Sequence, residues 1–242
     1  RFSSKETQAD AARLARALGI EAREIPIEPA FRAYLKTLKP FMSDRAVGVT
    51  GQNIQARIRG NLLMALSNAF GWLVVTTGNK SEMATGYTTL YGDMAGGFAV
   101  IKDVPKTLVY RLARFRNARA RLPSQAHAGE PARGGQGLEA PIPPSILRRA
   151  PTAELAPRQR DQDTLPPYEV LDRILEAYVE KDRSLPEILG RNRLEPAAVK
   201  RVLGMVDRSE YKRRQGPPGI KITPKAFGKD RRMPITNRYR QY

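Results

Sequence analysis

The stretch LVVTTGNKSEMATGYTTLYGD, residues 73–93, opens on the apolar run Leu73, Val74 and Val75 and then turns polar without becoming a charged loop. Thr76, Thr77, Gly78, Asn79, Lys80, Ser81 and Glu82 follow directly. A strand that ends this way places hydroxyls, backbone N–H groups, one cation and one carboxylate at its carboxyl edge, where ligands bind in open α/β sheets. The same residues suit an ordinary βα turn, with Asn79 and Gly78 shaping the backbone and Ser81 capping a helix. On either reading the stretch is a strand-to-helix corner.

Upstream, NIQARIRGNLLMALSNAF (53–70) repeats Ile54, Ile58, Leu62 and Leu66 every four residues, the buried ridge of a long helix that Gly71 ends. Asn53 and Arg57 lie four apart on the neighbouring ridge, so both can face one ligand. Before it, GIEAREIPI reads as a short strand around Ile20 to Ile27, and PAFRAYLKTL as a helix with Phe31, Tyr34, Leu35 and Leu38 on one face. The chain begins RFSSKETQADAARLARALGI, a helix with Ser3 and Glu6 at capping-box spacing, Leu14 and Leu18 as its ridge and Gly19 as its stop. Helix, strand, helix, strand in this order predicts an α/β fold, a parallel doubly wound sheet flanked by helices. Such a domain opens on a strand whereas this chain opens on Arg1 and a helix, so at least one strand is expected upstream.

Downstream, GDMAGGFAVIKDV is Gly-rich and expected to be mobile, and PKTLVYRLARFRNARA (105–120) reads as a helix with Pro105 at its first position. Leu108, Leu112 and Phe115 are expected to face a core, leaving Lys106 and Thr107 in the first turn. A cation and a hydroxyl beside free helix N–H groups suit a phosphate, and they equally suit a basic surface helix. Residues 123–144, dense in Pro, Gly and Ala with no apolar period, read as a disordered or extended linker. Beyond it a helix carries Leu171, Ile174, Leu175 and Tyr178, and another, opened by Pro196, carries Val199, Val202, Leu203 and Val206. The closing residues show little sign of a core. The expected organisation is a core over 1–122, a linker over 123–144 and a helical, basic part over 145–242.

Composition limits the chemistry. There is no cysteine, and the one histidine, His127, lies in the linker, so thiol nucleophiles, zinc–thiolate sites and Ser-His-Asp catalysis are excluded. No apolar run approaches the ~20 residues of a membrane span and no signal-peptide pattern opens the chain, so a soluble, cytoplasmic protein is expected. The net charge of +18 calls for an anionic partner. Residues 200–242 hold 13 Lys and Arg against three acids, a tail that suits nucleic acid. Few aromatic residues alternate with those cations and no RNA-recognition signature or zinc finger is present, so small polyanions remain equally open.

Four blocks in order, NIQARIRG, TTGNKSEMATGYTTLYGDMAGGFAVIKDVPKT, APTAEL and EYKRRQGPPG, resemble the synthetase domain of the glutamine-dependent NAD+ synthetase family. The resemblance implies an N-type ATP pyrophosphatase domain of the adenine nucleotide alpha-hydrolase-like fold. It implies activation of the nicotinate carboxylate of deamido-NAD+ by ATP and magnesium (Mg2+), then attack by ammonia to give NAD+, AMP and pyrophosphate. By the same resemblance Thr77 contacts ATP, and Lys106 and Thr152 contact its phosphates. Glu82 lies near the metal and the deamido-NAD+ carboxylate, Asn53, Arg57 and Lys212 contact the dinucleotide, and Asp93 belongs to the mobile loop over the site.

The family's phosphate loop, Ser-Gly-Gly-x-Asp-Ser, occurs nowhere in the 242 residues, nor does a Glu, Lys and Cys amidase set. Both are expected before Arg1, with glutamine as the ammonia source, and the resemblance also implies a homo-oligomer with no membrane. Two other roles are a nucleic-acid-binding module built on the basic tail and a non-catalytic oligomerisation segment.

Overall fold

A computed structural model of the chain describes residues 2–42, 48–120, 140–192 and 194–236. In chain order the first elements are α1 (Lys5–Leu18), α2 (Glu28–Met42), α3 (Val49–Phe70), β1 (Val75–Thr76), α4 (Lys80–Thr85), β2 (Phe98–Ala99) and α5 (Lys106–Ala120). Then follow α6 (Pro144–Arg148), α7 (Tyr168–Leu175), a π-helical turn (Glu176–Glu180), α8 (Leu185–Asn192), α9 (Pro196–Arg208) and α10 (Glu210–Arg213). No described helix is long and apolar enough to cross a membrane. The chain forms two compact units, one of Arg1–Pro26 with Leu108–Asp161 and one of Ile27–Thr107 with Gln162–Tyr242.

In the first unit α1 is capped by Ser4, one residue later than its sequence suggests: the Ser4 side chain accepts from Thr7 N. Gly19 ends the helix at φ 65°, a left-handed cap that costs glycine little. Asp10, 2% exposed, binds α1 to α6, accepting from Ser145 Oγ at 2.7 Å and from Arg149 Nη2 at 2.6 Å. Those contacts hold the Asp10 carboxyl below its usual range, Ser145 being the largest influence. Leu112 and Phe115 of α5 are exposed rather than buried, at 48% and 59%, and the Arg119 guanidinium lies over the Phe115 ring. The linker expected over 123–144 lies outside the described residues up to 139, His127 with it. Its last part is structured: Asn117 bonds both the N–H and the carbonyl of Ile142.

The second unit holds two cores. In the smaller, Ile27 and Phe31 of the α2 entry meet Ile54 and Ile58 of α3, the ridge that the four-residue spacing marks out. Tyr34, expected on that face, is 47% exposed. The larger core joins α7, α8 and α9 through Leu171, Ile174, Val179, Ile188, Val199, Val202, Leu203 and Val206, all fully buried. Each such side chain contributes about 1.5–3 kcal/mol by leaving water. Phe227 completes this core, so the closing segment is anchored where the sequence showed little to anchor it.

The strand expected around Ile20 to Ile27 is not formed, and Ile20 and Ile25 stand exposed at 59% and 46%. A strand needs a neighbour for its N–H and C=O groups, and none pairs with this segment among the described residues. The sheet is small and parallel: β1 pairs with β2, Val75 opposite Phe98 and Thr76 opposite Ala99. The segment at Gly219 extends it through a parallel bridge to Ala99, whose N donates to the Pro218 carbonyl at 2.8 Å. Only glycine fits there, because a Cβ on Gly219 would stand 2.3 Å from the Ala99 carbonyl oxygen.

Candidate functional site

The chain leaves β1 at Thr76 and enters α4 through a reciprocal cap. The Asn79 side chain accepts from Glu82 N at 3.1 Å, and the Glu82 carboxylate accepts from Asn79 N at 3.2 Å. Asn79, not Ser81, is therefore the N-cap, and the box satisfies two helix-end donors at once. Oε1 of Glu82 turns instead to Lys106, whose Nζ is 3.0 Å away. Each side chain is 19% exposed, so the pair is partly desolvated yet reachable.

Lys106 is placed by its backbone. Its N–H donates to Ser81 Oγ at 2.9 Å, and Ser81 Oγ donates to Asp172 Oδ1 on α7. Thr107 donates to Asp172 Oδ2 from both N and Oγ1, at 2.9 and 2.7 Å. One carboxylate thus collects the first turns of α4 and α5, where helix N–H groups and the helix dipole favour a negative charge.

Opposite this corner, the loop after α4 lies against α3. A Cβ on Gly60 would meet the carbonyl oxygens of Tyr91 and Gly92 at 2.8 Å, so glycine sets that approach. Asn53 accepts from Thr89 Oγ1 at 3.1 Å and Arg57 Nε donates to the Leu90 carbonyl at 3.2 Å. Four residues apart, the two share a helix face, and both meet the loop after α4. Lys212 of α10 holds the loop from the other side, donating from Nζ to the Gly86 and Thr88 carbonyls at 2.7 Å each. Burial lowers the Lys212 pKa, with Asp93 opposing.

Asp93 accepts from Thr89 N at 2.6 Å. The residue is exposed overall although protein atoms crowd its carboxyl. That crowding raises its pKa first and the Glu82 carboxylate adds to it, against the Thr89 N–H and Lys212. Glu82, Asp93 and Lys212 therefore share one electrostatic neighbourhood, with Lys106 on Glu82.

Thr77 is exposed just past β1. Thr152 belongs to the first unit, where its hydroxyl accepts from Glu154 N at 3.1 Å. Sequence reasoning missed what lies under the site. Lys80, 1% exposed, donates from Nζ to Glu180 Oε1 at 2.8 Å, Thr223 Oγ1 at 2.5 Å and the Lys225 carbonyl at 3.0 Å, with Asp103 Oδ1 at 3.0 Å. The π-helical turn brings Glu180 into this cluster. The only signal was a lysine inside a helix start that is otherwise small and polar.

The arrangement offers two carboxylates, two ammonium groups and a strand-end hydroxyl. It suits reactions that build and move charge on phosphate and carboxylate oxygens, with no protein nucleophile. The Glu82 carboxylate raises the cost of ionising Asp93, and both side chains are hard oxygen donors, a fit for magnesium. Among the described residues no three His, Cys, Asp or Glu side chains converge, and magnesium commonly takes one or two carboxylates and fills its other positions from phosphates and water.

Comparison with known proteins matches residues 1–216 to the NAD synthase family. The glutamine-dependent NAD(+) synthetase of Thermotoga maritima is 53% identical over 240 residues, 99% of this chain and 38% of the relative. The chain thus spans about two fifths of the length of the curated relatives it matches. Among solved structures, the glutamine-dependent NAD+ synthetase of Acinetobacter baumannii in complex with ADP is 41% identical at a TM-score of 0.53, over 98% of this chain and 39% of that one. The NMN synthetase of Francisella tularensis is 25% identical at 0.66, over 87% of this chain and 71% of that one.

Proposed function

The chain belongs to the NAD synthase family, with the adenine nucleotide alpha-hydrolase-like α/β fold of its structural neighbours, and we propose that it carries the synthetase part of an ATP-dependent amidation of deamido-NAD+ to NAD+. The observation that supports this most is the meeting of Glu82, Lys106, Asp93 and Lys212 around one strand-to-helix corner.

In this reading the nicotinate carboxylate attacks the α-phosphorus of ATP and pyrophosphate leaves. Ammonia then attacks the carbonyl carbon of the adenylate and AMP leaves. Lys106 moves its ammonium from Glu82, 3.0 Å away, to the ATP phosphates. Thr77 donates its hydroxyl to ATP at the strand end. Glu82 and Asp93 would hold magnesium, which would supply charge neutralisation on the phosphate oxygens. Asn53, Arg57 and Lys212, gathered on the loop that carries Asp93, hold the dinucleotide.

The phosphate loop and the amidase that releases ammonia from glutamine belong, on this proposal, to the length that the relatives have and this chain does not span. The working protein is a cytoplasmic homo-oligomer. The test uses the full-length protein with deamido-NAD+, ATP, magnesium and ammonia. NAD+ and pyrophosphate should form together, and Lys106→Met should suppress both. Pyrophosphate release indifferent to deamido-NAD+, or a salt-dependent affinity for long RNA exceeding that for deamido-NAD+, would overturn the reading.

A further inference from the structure

We propose that Asp172 is the positioning residue of the Glu82–Lys106 pair: its carboxylate ties the first turns of α4 and α5 together and so sets the gap across which the pair meets. The proposal rests on the reading of that pair given above, but its geometry is independent of the reaction.

Glu82 lies outside the two cores, and the Lys106 ammonium meets the larger core at the Tyr168 ring, 5.4 Å from its centroid. Glu82 follows Ser81, which is fully buried, and Lys106 precedes Thr107, and both neighbours end on Asp172. The path is continuous: the Lys106 N–H donates to Ser81 Oγ, the Ser81 hydroxyl donates to Asp172 Oδ1, and Oδ2 accepts twice from Thr107. Asp172 sits in the last turn of α7 between Leu171 and Ile174, both fully buried, so its backbone is held by the larger core. The carboxylate carries that rigidity to two helix starts whose lead-ins are also joined by the bond from Lys80 N to the Val104 carbonyl at 2.9 Å. A side chain held by packing and by hydrogen bonds behind it keeps the tight geometry that a charged site needs.

A carboxylate suits this place for a second reason. Two helix N-termini converge on it, and their combined partial positive charge favours an anion. An amide offers one acceptor oxygen and turns a donor toward groups that are themselves donors, so Asp172→Asn breaks one half of the tie while keeping size.

The test compares Asp172→Asn and Asp172→Ala with wild type in two ways. The first is the rate at which an amine-acylating ester labels Lys106 in the chain, followed by peptide mass spectrometry. Released from Glu82, Lys106 should label several-fold faster in both variants, more so in Asp172→Ala, while labelling of exposed Lys229 is unchanged. The second is a double-mutant cycle in the full-length enzyme. Asp172→Asn should lower kcat by about tenfold or more, and that loss should nearly vanish in a Lys106→Met background, because residues acting through one another are not additive.

A fall in thermal stability with Lys106 labelling unchanged would make Asp172 a merely structural residue and overturn the proposal, as would strictly additive kinetic losses. Should Lys106→Met itself leave turnover untouched, the functional reading of the pair fails, and the labelling rates alone decide for or against Asp172.

Discussion

Lys80 and Asp103 form an ion pair at 3.0 Å with 1% and 4% of their side chains exposed, and the Glu180 carboxylate closes on the same ammonium at 2.8 Å. Asp103 in turn accepts from the Ile222 and Thr223 N–H groups at 2.8 and 2.7 Å, so one buried cation joins α4 to the closing segment. Two carboxylates and one ammonium in such a place are tolerable only while each remains bonded. Lys80→Met should therefore cost about 3–5 kcal/mol, the range for removing one partner of a buried pair. Urea unfolding of the chain checks this, and a midpoint within error of wild type would show that the acids find other partners.

The parts of this fold that the sequence made legible are those decided by one element's own period. The α3 ridge at Ile54 and Ile58, the α9 ridge at Val199, Val202, Leu203 and Val206, and the Gly19 stop all follow from local spacing. What could not be read depends on distant partners. The segment from Ile20 to Ile27 has a strand's composition but no neighbour to pair with among the described residues, and Leu112 and Phe115 have a core ridge's spacing but stand exposed. In the site, Asn53 and Arg57 came from spacing, whereas Asp172 meets Ser81 and Thr107 across 91 and 65 residues and left no local trace.

Burial sets the Lys212 pKa below 10.5. Between that lowered value and 10.5 the unfolded chain holds the proton and the folded chain does not, so stability rises with pH through this window. The contribution is complete above 10.5 and is lost as pH falls through the folded value. In Lys212→Met this dependence disappears, while Lys102, shifted the same way by burial, keeps its own in both proteins. The unfolding free energy of wild type minus that of Lys212→Met should therefore grow as pH is raised toward 10.5. A difference flat in pH, measured by denaturant unfolding at several pH values, would show that the Lys212 ammonium is as well solvated as in the unfolded chain.

Asp93 carries the opposite shift, upward from 3.8, and its neighbours can be tested one at a time. Glu82→Gln removes the carboxylate that opposes Asp93 ionisation, so the Asp93 pKa should fall. Lys212→Met removes the cation that favours it, so the pKa should rise. Carbon-13 NMR of the Asp93 carboxyl through a pH titration reads both directions. The accompanying stability term is present below 3.8 and lost as pH rises through the folded value, so Asp93→Asn should gain on wild type across that interval. Identical Asp93 titration curves in both variants would mean that the three charges do not share a site.

Glu82 has two jobs that one substitution separates. Its Oε2 accepts from Asn79 N in the capping box, and its Oε1 meets Lys106 at 3.0 Å. Glutamine also completes a capping box, so Glu82→Gln should fold with a thermal midpoint close to wild type. As a helix-start acid alone, Glu82 would add at most ~1 kcal/mol through the helix dipole. As the carboxylate that meets magnesium beside the reacting groups, it supplies a charge that an amide cannot replace. The full-length Glu82→Gln enzyme should then lose adenylate formation by roughly 10²-fold or more, the scale of removing one preorganised electrostatic contact. The measurement is pyrophosphate release with ATP and deamido-NAD+ across a magnesium titration. Raising ammonia should not restore the rate, because the lesion precedes the attack of the amine. Release near the wild-type rate at every magnesium concentration would leave Glu82 as a capping residue and remove it from the site.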